Sequence, residues 1–353
     1  MEMIRKTKVY FIHRFISGLD DFLRVIQMPN VVGSLEWNEN SPDILFATEW
    51  IYYDKICYKE FCKLWPKAKL RVFLAFEAIY PDMNLFDYAV GFNNHLNIEN
   101  DRFIRLMSPL HFFSGFISSY ENEVKTIEDA KRCLNSKTGF CNFLYSNGHA
   151  HPMRDRLFFE LSKYKKVDSW GRHLNNIGRG AKKYSPQSNW RKDSSDIKAA
   201  YKFSIASENA CFRGYTSEKI YTSLLAHTIP IYWGNPDVCE EVNPEAFINV
   251  NDYDSMNALL ERIEYIDQHD DIWMDMVSKP WMTVQQLEQH TLRTEAFKKR
   301  MKDILFGDIE PNQRLSQGTH QDCYRNRFFH NSFMKSPKIF VIKRLLNEIG
   351  VKI

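Results

Sequence analysis

The stretch YKFSIASENACFRGYTSEKIYTSLLAHTIPIYWGNP, Tyr201 to Pro236, decides how this 353-residue chain is read. Tyr201–Ala206 alternates aromatic or apolar side chains with small polar ones, the two-residue period of a strand. Glu208–Gly214 is polar and closes on glycine, which predicts a loop. Thr216 and Ser217 are N-cap residue types, and Glu218 sets an acid in the first turn of a helix. Ile220, Leu224 and Leu225 give that helix an apolar face, and Thr228–Gly234 reads as a short buried strand that stops at a turn. The product is an αβ unit whose polar loop is aimed at a helix N-terminus. Free N–H groups and the positive end of the helix dipole make such a terminus a site for phosphate.

Upstream, the pattern predicts strands at Val9–Ile12, Asp43–Ala47, Leu70–Phe76 and Tyr88–Phe92, with a helix over Gly18–Gln27. Alternating strands and helices imply an α/β protein with parallel sheets covered on both faces. A further helix is expected at Ile127–Leu134; a second series then begins at the strand Cys141–Tyr145, continues through a helix near Arg154–Tyr164, and ends with helices at Ser255–Ile266 and Trp281–Leu305. The division expected is 1–138, 139–310 and a tail, 311–353. Gly178–Ser195, poor in apolar residues, is expected to be a mobile loop at the edge of a site. The tail segment Lys335–Ile353 is basic and amphipathic, and it suits either a last helix packed on the protein or a helix lying on a membrane surface.

The 47 basic and 44 acidic residues nearly cancel, giving a net charge of +3, which argues against a dedicated nucleic-acid binder. Seven scattered cysteines without a C-x-x-C pair fit free thiols in a reducing compartment better than a disulfide framework or a zinc site. The basic N-terminus precedes an apolar run that His13 and Arg14 interrupt, so a first strand is expected there and not a signal peptide.

Ser207-Glu-Asn209, Gly214-Tyr-Thr-Ser-Glu-Lys219 and His227-Thr-Ile-Pro-Ile-Tyr-Trp-Gly234 resemble the signature of the α-1,3-fucosyltransferases, the tenth glycosyltransferase family, above all its bacterial members. Two positions depart from the usual form: Ser207 stands where Phe is common, and Ser217 where Thr is. The resemblance implies a GT-B type fold, two Rossmann-like doubly wound domains facing a central cleft. The N-terminal domain would bind the acceptor and the C-terminal one GDP-fucose. It also implies inverting transfer of L-fucose to O3 of the GlcNAc in an N-acetyllactosamine-type glycan, with no metal and no cofactor, in a cytoplasmic bacterial enzyme.

Such a transfer needs a base for the acceptor hydroxyl, positive charge on the departing diphosphate, and an oxocarbenium-like sugar. Glu77 matches the catalytic Glu of the family segment E-x-x-x-P-x-x-N-L-F-D-Y through Pro81, Asn84, Leu85, Phe86, Asp87 and Tyr88. Alone it would read as a solvated loop acid. Asp87 reads as a structural partner. Arg154, in the family-like P-M-R-D, and Lys219 are the expected diphosphate clamp, against the plainer reading of surface cations. Glu218 would accept hydrogen bonds from ribose hydroxyls or simply suit the helix dipole. Asn209 and Tyr215 would line the nucleotide pocket. Asp252-Tyr-Asp254 is a D-x-D, the pair that binds a divalent metal in a different transferase architecture, but before a helix an Asp reads as a cap. His149 and His151 could point one way on a strand, in a packing or edge role. The competing functions are another GDP-sugar or an α-1,4 linkage, a metal-dependent D-x-D transferase, and a non-catalytic glycan-binding protein.

Overall fold

The structure is a computed structural model that describes residues 6–93, 102–106, 122–178 and 190–307, with 309 and 311. The chain forms two units, one of residues 1–91, 96–105 and 296–353, the other of 92–95 and 106–295.

The first unit contains β1 (Thr7–Ile12), α1 (Leu19–Val25), β2 (Leu35–Trp37), β3 (Ile44–Ala47), α2 (Trp50–Tyr53), α3 (Lys55–Leu64), β4 (Leu70–Leu74), β5 (Tyr88–Gly91) and β6 (Phe103–Arg105). Its sheet runs β2-β1-β3-β4-β5-β6, every pair parallel. Strands β3, β4 and β5 are buried along their whole length, as parallel strands covered on both faces must be. Phe22 packs on Phe46 with ring centres 4.7 Å apart, and Phe73 on Phe86 at 5.0 Å.

The second unit contains α4 (Ile127–Asn135), β7 (Gly139–Phe143), α5 (Met153–Tyr164), β8 (Val167–Ser169), α6 (Trp190–Lys198), β9 (Tyr201–Ser207), α7 (Glu218–Leu225), β10 (Ile229–Trp233), β11 (Ile248–Asn249), α8 (Met256–Gln268), α9 (Asp270–Val277) and the first half of α10 (Val284–Phe306). The sheet order is β11-β10-β9-β7-β8, again parallel throughout. Pro230 sits in a central strand, yet β11 pairs only with Ile231 and Tyr232, so at Pro230 the strand has a neighbour on one side alone.

Counted within each unit, both sheets follow the winding 2-1-3-4-5, with the extra strand β6 at the edge of the first. These are the two Rossmann-like doubly wound units of the GT-B type expected from the sequence. In this winding the strand order reverses between the first strand and the third, and ligands bind beyond the carboxyl ends there. The reversal lies between β1 and β3 in one unit and between β7 and β9 in the other.

Three expectations are corrected. Trp190–Ser195 belongs to helix α6 and not to a loop, while 179–189 lie outside the described residues. That helix was hidden because its buried end is held by polar contacts: Lys198 Nζ donates to Thr222 Oγ1 (2.6 Å) and Ser223 Oγ (3.0 Å). The division after residue 138 differs from the observed one, in which α4 lies with the second unit and residues 296–306 return to the first. Asp252 and Asp254 do not cap α8; Ser255 does, accepting from Ala258 N, while Asp252 accepts from Asn249 Nδ2 at 2.7 Å. The tail helix expected at 335–353 lies outside the described residues. No helix among the described residues is long and apolar enough to cross a membrane.

Candidate active site

In the second unit, the residues gather at the carboxyl ends of β7 and β9. Arg154 is the second residue of α5, and its side chain is driven inward to 1% exposure. One terminal nitrogen donates to Ser207 O and to Asn209 Oδ1, both at 2.8 Å, and the other to Asn147 O at 3.4 Å. The guanidinium lies 4.0 Å from the centre of the Tyr145 ring, a cation–π contact. Tyr145 in turn donates to Ile205 O (2.8 Å) and accepts from Ser207 N (2.7 Å), so the ring is fixed to β9. No carboxylate pairs with Arg154 among the described residues, and its Nε has no partner. A buried cation without a counter-charge is costly to the fold. An anion arriving at these strand ends would offset that cost.

Glu208, the middle residue of the Ser-Glu-Asn motif, points the other way. It is fully buried; Oε1 accepts from Ser217 N (2.8 Å), and Oε2 from Ser217 Oγ (2.6 Å) and Lys219 Nζ (3.1 Å). Lys219 Nζ also donates to Ser217 Oγ (2.9 Å) and lies 3.6 Å from Glu218 Oε1. Three consecutive residues thus hold both cations: Ser207 and Asn209 grip Arg154, and Glu208 aims Lys219. This explains why the two departures from the family pattern leave the geometry whole. Ser207 serves Arg154 through its backbone carbonyl, and Ser217 keeps the hydroxyl that caps α7 by accepting from Lys219 N.

The glycines of the motif have steric reasons. Gly214 has φ 79°, in the left-handed region, and its N–H donates to Asn235 Oδ1 at 2.7 Å. A Cβ on Gly234 would stand 2.3 Å from Glu208 Cγ. Asn235, fully buried, also accepts from Asp237 N (2.9 Å) and donates to Thr216 Oγ1 (2.9 Å), which pins the loop over β10. Tyr215 is 3% exposed and packs edge-on against Phe92, ring centres 5.2 Å apart. Of the expected residues, Arg154 and Asn209 are in contact, as are Glu218 and Lys219; Tyr215 belongs to the same loop. Glu208 and Asn235 were not expected. The partners they reach across the loop, Ser217 and Lys219 for Glu208 and Gly214 and Thr216 for Asn235, lie nine to twenty-one positions along the chain, a spacing with no helical or strand period to betray it.

His151 lies outside any strand, contrary to expectation. Its N–H donates to Asn209 O (2.9 Å), and its ring stacks on Trp233 at 4.3 Å and 27°.

In the first unit, the side chains gather beyond β1, β3 and β4. Glu77 is three residues past the end of β4 and half-buried. The segment that follows it is anchored: Trp65 Nε1 donates to Leu85 O (2.8 Å), and Arg102 donates to Met83 O, Phe86 O and Asp87 O at 2.7–2.9 Å. Asp87 is fully buried, accepts from Arg71 N (2.8 Å) and lies 3.7 Å from the Arg71 guanidinium, the structural pairing expected of it. His13 follows β1 with its ring 5.4 Å from Phe76 and 6.1 Å from Trp50; burial lowers its pKa to about 4, so the imidazole is neutral. Phe15, 71% exposed, meets Trp50 edge-on at 5.4 Å, and Arg14 lies over both rings. Glu49 follows β3, 1% exposed, its Oε2 accepting from Phe76 N at 3.0 Å. The arrangement offers a carboxylate at the rim of an aromatic surface.

The family description "Glycosyltransferase family 10 (fucosyltransferase) C-term" matches residues 134–324. Among curated proteins the chain is similar to the Alpha-(1,3)-fucosyltransferase FucT of Helicobacter pylori, 29% identical over 235 residues, 59% of this chain and 46% of that one. It is also similar to the GDP-fucose protein O-fucosyltransferase 3 of Xenopus tropicalis, 26% identical over 201 residues, 56% of this chain and 40% of that one. The match thus spans less than half the length of either relative. Among solved structures, the crystal structure of an alpha1,3-fucosyltransferase is 25% identical, covers 88% of this chain and 93% of its own, and has a TM-score of 0.65. A second, of an alpha1,3-fucosyltransferase with GDP-fucose, shares the fold with a TM-score of 0.63 at 24% identity, over 88% of this chain and 94% of that one.

Proposed function

The chain belongs to glycosyltransferase family 10, and from that premise we propose that it is an inverting α-1,3-fucosyltransferase. It moves L-fucose from GDP-fucose to O3 of GlcNAc in an N-acetyllactosamine-type acceptor, without a metal ion. The observation that carries this reading is the buried Arg154, a guanidinium with no carboxylate among the described residues, set beside Asn209 at the reversal of the strand order. Arg154 and Lys219 supply the positive charge that a leaving diphosphate needs, and Asn209, Tyr215 and Glu218 complete the nucleotide side. Glu77 takes the proton of the acceptor hydroxyl as its oxygen attacks the anomeric carbon. The bond from that carbon to the phosphate oxygen breaks, and GDP departs with the electron pair. One displacement inverts the centre, so no second carboxylate acts as nucleophile. The six described cysteines are all free, which supports a reducing, cytoplasmic setting.

The test is incubation with GDP-fucose and a panel of lactosamine glycans and Ser/Thr peptides, with and without EDTA, product linkage being read by NMR. The peptides are included because one relative is named as a protein O-fucosyltransferase. An O3-fucosylated glycan formed equally in EDTA is the expected outcome. Peptide fucosylation, or activity restored only by manganese, would replace the acceptor or the metal-free reading. Arg154→Ala and Lys219→Ala should each weaken GDP binding in calorimetry; unchanged affinity in both would remove them from the clamp.

A further inference from the structure

One carboxyl at the strand ends has no part in the reaction above. Glu49 lies beyond β3, beside the reversal of the strand order, and is 1% exposed. Acids are almost never buried to that degree without a cationic partner. None of the described residues provides one. The titratable groups that interact with it are Glu77 beyond β4 and the Tyr53 phenol on α2; His13, beyond β1, packs on Trp50 and Phe76, and its burial keeps it neutral. Arg14 turns instead to the Phe15 and Trp50 rings and to Asp54 Oδ2 at 3.6 Å. What Glu49 does hold is backbone: its Oε2 accepts the N–H of Phe76 at 3.0 Å, one residue before Glu77.

We propose that Glu49 is a positioning residue for the transfer reaction, its buried carboxyl gripping the Phe76 amide and so fixing the chain that carries Glu77 as it leaves β4. This rests on the reading of Glu77 as the base. The electrostatics agree with the geometry. Burial pushes the Glu49 carboxyl up to about 8, the hydrogen bond from Phe76 opposing and the Glu77 charge adding to the rise. At pH 7 Glu49 therefore keeps its proton. A neutral grip also explains why no cation accompanies it among the described residues.

Because the carboxyl is neutral, Gln is a close mimic and Leu is not. Glu49→Gln should keep kcat within about threefold at pH 7. Glu49→Leu, which has no acceptor for the Phe76 amide, should lose about 10–100-fold in kcat, the scale of an ångström-sized misplacement. Acceptor KM and GDP affinity should change less than twofold in both. Wild-type kcat in Glu49→Leu, or equal losses in Gln and Leu, overturns the proposal. If Glu49→Leu does not fold, amide hydrogen exchange on the wild-type protein decides: the Phe76 N–H should be protected, and exchange at the rate of an open loop overturns the grip. Glu77→Gln, run in the same assay, separates the two readings. An active Glu77→Gln removes the base itself, whereas an inactive one with an unaffected Glu49→Leu removes only the positioning.

Discussion

Lys198 shows what a single residue can contribute to the balance of the site. It lies beneath α7, and the acceptors its ammonium meets among the described residues are neutral: the Lys219 carbonyl at 3.2 Å and the Thr222 and Ser223 hydroxyls. Burial lowers its pKa from 10.5 to about 7; the charges of Glu218 and Glu208 oppose this and that of Lys219 adds to it. An unfolded chain would then bind more protons than the folded one between about pH 7 and 10.5. Stability should therefore rise with pH across that window, and below it the full penalty of the buried cation is carried. Lys198→Met removes the titrating group, and both hydroxyls keep their bonds to the Glu218 and Lys219 carbonyls. The expected result is a higher Tm than wild type at pH 7 and a smaller gain between pH 7 and 9.5, followed by scanning calorimetry. A parallel pair of Tm–pH curves would show that Lys198 is already paired or hydrated.

Among elements, legibility tracked length and burial. Leu70–Leu74 and Ile229–Trp233 are apolar runs buried on both faces, and their periodicity was plain in the sequence. The strands Leu35–Trp37 and Val167–Ser169 lie at sheet edges and are only three residues long, too short for a period to develop. Helix α3 escaped for another reason: lysines and an acid interrupt its buried stripe of Cys57, Phe61 and Leu64. The site divides in the same way. Arg154, Asn209 and Lys219 stood out because their motifs are local. Glu208 and Glu49 did not, because what each holds is defined only when separate strand ends come together. Helix α7 tests the motif itself. Ser217 caps it and binds both Glu208 and Lys219. Ser217→Ala should cost about 1–2 kcal/mol in thermal denaturation, whereas Ser217→Thr, which restores the commoner family residue, should stay near wild type. Equal stability of the three would mean the hydroxyl contributes nothing to the cap.

For the whole molecule, helix α10 carries the largest consequence. Its residues up to Glu295 belong to the second unit and those from Ala296 to the first. Phe297, Met301, Ile304 and Leu305 are at most 2% exposed, and Leu305 O accepts from Thr7 Oγ1 at 3.1 Å, at the first residue of β1. Phe297→Ala should destabilise the first unit by about 3–5 kcal/mol, the usual effect of removing a buried aromatic ring. Limited proteolysis should then cut within residues 6–93 before the second unit is attacked; cleavage in the reverse order would contradict this. On the ribosome the same helix reverses the common N-terminal-first order of folding. The strands of the first unit are synthesised by Arg105, but its described buried side chains are not complete until Leu305. At ~5–20 residues per second, the roughly 200 residues between take about 10–40 s to make. Throughout that interval the first unit lacks the buried side chains of Phe297, Met301, Ile304 and Leu305. The half of the protein that is made first is thus the last to be finished, and it is there that a chaperone or a slowed ribosome would most change the yield of active protein.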